Sequence, residues 1–185
     1  EYMVEIKYDG EEVSGSFTVK TDPRIDVNID VLKANYKMSK TAQKLSEIIT
    51  KAGQQIQETQ KAIQTVREYS RNNRSPKTRD LMKAVKDLET KLKKLSEVLN
   101  PTPPKQGIAD RSAGLSSQVR RAVFGLAGGL EPVSQAGKVR YEKIKLKAEV
   151  FLKEFNQFYK TDVEEFKKLV QESGFSLFKS FKPLK

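Results

Sequence analysis

The 185-residue chain has neither cysteine nor histidine. Without cysteine it can form no disulfide, carry no thiol nucleophile and build no thiolate metal site; the compartment stays undecided, because reducing and oxidising environments both tolerate the absence. The missing histidine excludes more. Histidine is the usual general base near neutral pH and the commonest metal ligand, so losing both residue types removes most familiar catalytic constellations together. There is no run of about 18 apolar residues of the kind that spans a membrane as a helix, and no signal peptide. The chain opens at Glu1 in what reads as a β-strand, without an initiator methionine. The expectation is a piece of a longer protein whose targeting signal, if any, lies upstream.

What is plentiful is charge. Lysine and arginine total 35 against 24 acidic residues, a net charge of +11, and charged residues make up 32% of the chain against 37% hydrophobic. That balance suits long helices with one solvated face better than a compact α/β enzyme. The length allows one ordinary domain with a real core, or one domain and a fragment of another. The positive field draws acidic partners, with nucleic acid, anionic lipid and acidic protein all admitted, although the even spread of charge reads first as a solvated surface.

Residues 2–20 alternate apolar and polar positions, with Tyr2, Val4 and Ile6 on one face, Asp9-Gly10 near a turn, and Val13, Phe17 and Val19 following. This predicts a β-hairpin. Two strands alone are marginal in water, so the hairpin either packs on the helices or is the last pair of a β-sandwich, and the second is favoured. Thr21-Asp22-Pro23-Arg24 ends the strand and reads as an interdomain joint.

From about Asp30 to Asn72 the period becomes helical. Leu45, Ile49, Ala52, Ile56, Ile63 and Val66 form a narrow stripe, Thr59 fills its skipped position, and Gly53 weakens the case for an unbroken rod. Asn72-Asn73-Arg74 is a turn, after which Ser75 caps and Pro76 starts a second helix carrying Leu81, Val85, Leu88, Leu92, Leu95 and Leu99. It stops at Asn100-Pro101, and Pro103-Pro104 marks a stiff connector. A third, weaker helix carries Leu115, Val119, Ala122 and Leu126, and breaks at Gly128-Gly129 and Pro132. A fourth begins near Ser134 and carries Ile144, Ala148, Phe151, Phe155, Tyr159, Val163, Phe166 and Val170 until Ser173-Gly174; its aromatics mark it as the central element of the core. Short connectors make successive helices antiparallel neighbours. The expected fold is mainly α: an antiparallel up-and-down four-helix bundle over residues 26–174, preceded by a β-hairpin and joint (1–25) and followed by an apolar, basic tail (175–185).

A closing hairpin with Asp9-Gly10 at its turn, then Thr18-Val19-Lys20-Thr21-Asp22-Pro23-Arg24-Ile25, then a long amphipathic helix resembles the C-terminal region of bacterial BNR-repeat proteins, the sortilin-like or Vps10-like glycosyl hydrolases. The sharp part is the strand ending in Val-Lys followed by Asp-Pro-Arg. The resemblance implies upstream β-propellers and an immunoglobulin-like or fibronectin-like β-sandwich domain in the same chain as partners, and an exported, periplasmic or extracellular location. Any glycosidase role in such a family resides in propellers that this sequence lacks, so no catalytic residue is carried over. The basic balance here exceeds what the family leads one to expect.

Candidates for chemistry are few. Glu164-Glu165 and the Asp87/Glu89 pair could supply an acid and a base, but neighbouring helix residues diverge by about 100° and read as solvated charges. A di-metal bundle site needs inward Glu-x-x-His pairs, and no cofactor or metal is expected. Gly125-Leu126-Ala127-Gly128-Gly129 does not fit a phosphate-binding loop, and neither does the surround of Gly137-Lys138. The candidate interaction residues are the basic Arg120, Arg121, Lys143 and Lys147, and Phe175, Phe178 and Phe181 of the tail, whose mix of aromatics and lysines suits either a membrane surface or a return onto the bundle. Nucleic-acid binding is disfavoured, because Glu142 and Glu149 interrupt the basic cluster and the aromatics lie on the apolar helix face. Long aliphatic stripes would serve a homodimer as well as a monomer.

Overall fold

In a computed structural model, which describes residues 1–73, 75–103, 112–126 and 129–175, the chain begins with strands β1 (Tyr2–Tyr8) and β2 (Glu11–Phe17). They pair antiparallel with Tyr2 opposite Phe17 and Tyr8 opposite Glu11. Asp9 and Gly10 both take positive φ, 48° and 84°, the tight primed turn whose twist matches the strands. The register places Tyr2, Val4, Ile6, Tyr8, Val13 and Phe17 on one face.

Four helical rods follow, as the sequence predicts. Helix α1 (Ile29–Asn72) is unbroken over 44 residues, about 66 Å. The side chain of Asn28 caps it by accepting from the amides of Asp30 and Val31 at 3.0 and 3.2 Å. Gly53 sits inside it without interrupting it, because good helix formers flank it on both sides. Helix α2 (Pro76–Leu99) starts with a reciprocal capping box between Ser75 and Thr78 and with proline in its first turn. Helix α3 (Leu115–Gly125) is short. Helix α4 (Gln135–Phe158), capped by Ser134, passes through a π-helical turn (Tyr159–Val163) straight into α5 (Glu164–Glu172), so these form one rod. Gly174, at φ +75°, ends it.

The alternation of direction holds from α1 to α2 and from α3 to α4, and fails between α2 and α3. Arg67 of α1 pairs with Glu89 of α2 and Gly53 faces Leu99, so α2 runs back along the C-terminal half of α1. Helix α3 continues in the same direction: Gly114 abuts the end of α2, where a Cβ would fall 2.5 Å from the carbonyl oxygen of Leu99. Only glycine permits that approach. The α4–α5 rod then climbs parallel to α1, with Tyr159 against Gln55 and Phe175 against Tyr69. Among the described residues the bundle therefore has three columns, α1, the α4–α5 rod, and α2 and α3 stacked end to end.

The core is the seam the periodicity predicts. It comprises Ile49, Ile56 and Ile63 of α1, the six periodic aliphatics of α2, Leu115 to Leu126 of the third rod, and Ile144 to Phe166 of the fourth. Leu45 and Val170 are only partly buried at its margin. Phe158 is buried as well, which the sequence reading does not include. The π-helical turn explains it: Phe158 and Val163 are five positions apart, the π spacing, so both reach the core where an α-helix would turn one of them aside.

Candidate interaction surfaces

One member of each acidic pair considered for catalysis is held in an ion pair. Glu89 is held by Arg67, and Glu164 by Lys167 at 2.6 Å. Among the described residues no group of three or more metal-capable side chains gathers, and no buried side-chain nitrogen or oxygen lacks a hydrogen-bond partner. No helix among them is long and apolar enough to cross a membrane.

Three polar contacts tie rods together. Asn35, 5% exposed, donates its amide hydrogens to the carbonyls of Gly129 and Glu131 at 3.2 and 2.8 Å and accepts from the amide of Val133 at 3.3 Å. It fastens the α3–α4 connection to α1. The Tyr159 hydroxyl donates to the carbonyl of Gln55 at 2.9 Å and lies 2.8 Å from the Thr59 hydroxyl, so the skipped position of the α1 stripe is a polar latch. Burial pushes the Tyr159 phenol above its ordinary pKa, against a smaller opposing effect of the Thr59 bond. Lys91 of α2 pairs with Asp162 in the π-helical turn; the hydrogen bond holds that carboxyl below its ordinary range and raises the lysine.

The basic candidates do not gather into one site. Arg120 is exposed on α3, while Arg121 donates to the backbone carbonyl of Ser112 at 2.6 Å. Lys147 reaches from α4 to the side-chain oxygen of Gln118 at 3.3 Å. Lys143 and Lys147 line one hollow on α4, about 530 Å³, together with Val139 and Arg140. Phe175 is half-buried and meets Tyr69 edge to face, 4.9 Å between centroids, at one end of a groove of about 540 Å³ between α1 and α5. Phe178 and Phe181, with the rest of residues 176–185, lie outside the described residues, as do Arg74, Pro104, Ala127 and Gly128.

Two surfaces stand out against the sealed core. Every residue of both strands is exposed, Ile6 by 63% and Val13 by 69%, so the hairpin does not pack on the helices. On α4, Val139, Leu146 and Val150 are exposed although they belong to the rod with the largest buried aromatics. The sequence reading misses this second stripe because it follows the seam of phenylalanines; the i, i+7, i+11 spacing of the three residues is the signal that finds it.

No known protein family, no curated protein and no solved structure matches this chain.

Proposed function

We propose that this chain is a non-catalytic interaction module, a rigid helical stalk that carries a β-hairpin to be completed by a neighbouring β-sheet. The observation that supports this reading is the contrast between a helical seam closed on itself and a hairpin whose six apolar residues on one face all remain in water. A face of that composition matches the inner side of a β-sandwich, and its two outer edges offer unpaired backbone groups. On the resemblance described above, the sheet belongs to the β-sandwich domain of an exported BNR-repeat protein of the glycosyl-hydrolase type.

The test combines substitution with assay. Replacing Ile6 and Val13 together by threonine leaves the melting of the bundle in the isolated chain unchanged, and lowers the melting temperature of the sheet domain in the full-length parent. A parent that melts unaltered would remove the sheet-completing role, and turnover of aryl glycosides by the isolated chain would remove the non-catalytic one.

A further inference from the structure

The solvent side of α4 bears a stripe that the bundle does not use. Residues seven and eleven apart return to nearly the same angle on a helix, so Val139, Leu146 and Val150 fall within about 40° of one another. They lie opposite Ala148 and Phe155, which fill the core, and they are 44%, 61% and 62% exposed. Two hollows adjoin the stripe in sequence along the rod. The first, about 530 Å³, spans Gln135 to Lys147; the second, about 690 Å³, spans Val150 to Asp162 and is walled on its far side by Lys91, Lys94 and Leu95 of α2. Together they run about 40 Å along the rod.

The charges lining them are one-sided. Six cations, Arg140, Lys143, Lys147, Lys91, Lys94 and Lys153, line them with two acids, Glu154 and Asp162; Lys91 and Asp162 pair with each other, which leaves five cations facing one acid. We propose that this face of α4 is the docking surface for an acidic amphipathic helix from a partner protein, its apolar ridge seated on Val139, Leu146 and Val150 and its carboxylates on the lysine rim. Helix-in-groove recognition needs apolar anchors at helical spacing, and lysine stems extend the greasy floor while their ammonium heads stay in water. The stripe is aliphatic, so it offers no platform on which bases could stack. Glu142, paired with Lys145 at 3.8 Å, and Glu149 border its other flank, so cations do not prevail there and the fitting helix carries acid on one flank only. This surface is separate from the hairpin, so the two proposals stand or fall independently.

The probe is a synthetic helix-forming peptide of about 24 residues with leucine on one face and glutamate along one flank only, titrated by fluorescence anisotropy at low salt. A lysine-for-glutamate counterpart, phosphatidylglycerol vesicles and a DNA duplex serve as the other arms. The glutamate peptide binds, and the double variant Lys143→Glu/Leu146→Glu weakens it at least about tenfold. The variant leaves the melting temperature unchanged, because both side chains are in solvent, and the single change Lys153→Gln gives a smaller loss in the same direction. Equal binding of both peptides, no binding of the glutamate peptide, or stronger capture by vesicles or duplex through the same residues would each overturn the proposal. Behaviour of the Ile6/Val13 variant identical to the unsubstituted chain in this titration keeps the hairpin out of the result.

Discussion

The hairpin and the helical bundle are built from similar material and end in opposite states. β1 and β2 carry an apolar face with an aromatic stack, Tyr2 on Phe17 at 5.6 Å, and bury none of it. The α2 rod, with its polar residues facing water, buries all six of its periodic leucines and valine. The difference is one of supply. A helix in this chain finds two parallel or antiparallel rods beside it, whereas among the described residues the two strands have only each other and cannot enclose a core. Apolar pattern alone therefore does not tell what is buried; the number of neighbours does.

Several substitutions sharpen that contrast. Phe151, 2% exposed at the middle of the fourth rod, belongs to the common core and lies beside Phe155, and Phe151→Ala should cost about 3–5 kcal/mol in chemical unfolding. Next comes Asn35→Ala, which strips the α3–α4 connection of three hydrogen bonds. It should cost about 1–3 kcal/mol in the same measurement, since the freed carbonyls regain water only in part. Gly53→Ala should act in the other direction by up to about 1 kcal/mol, because helix propensity improves. The new methyl group would meet only Leu99 at an ordinary 3.8 Å.

The smallest effect is the pH-dependent one. Lys91 lowers the Asp162 carboxyl in the folded state, so the pair stabilises fully above the ordinary carboxylate pKa of about 4 and is lost as pH falls toward the lowered folded value. Asp162→Asn should therefore flatten the acid limb of the stability profile by less than about 1 kcal/mol, as expected of a partly exposed pair. A stability profile that instead changes above neutral pH would mean that a different group carries the effect.

Much of this architecture is legible in the residues. The α2 seam, the Ser75-Pro76 start and the Asp9-Gly10 turn are written locally, in spacing, capping and glycine chemistry, and each is found where the sequence predicts it. The direction of α3 is not local. It depends on Gly114 letting the third helix abut the end of the second, a close approach between segments that no periodicity encodes. Phe158 continues the four-three alternation of Ile144, Ala148, Phe151 and Phe155, but Val163 lies five positions beyond it, a step that an α period does not allow and that the π-helical turn supplies. Among the candidate interaction residues, charge and aromaticity identify types but not neighbours. Arg121 donates to a nearby backbone carbonyl and Lys147 to the neutral side chain of Gln118, Phe175 rests on Tyr69, and the exposed aliphatic stripe of α4 carries no charge to draw attention to it.

Amide hydrogen exchange on the isolated chain tests the account most directly, because it reads the hairpin and the bundle in one experiment. The amides of β1 and β2 are predicted to exchange at nearly unprotected rates, while those of Ile56, Leu92 and Phe155 exchange only through global unfolding. Hairpin amides protected as strongly as the bundle would contradict the claim that the helices are complete without the strands and that the strands await a neighbour.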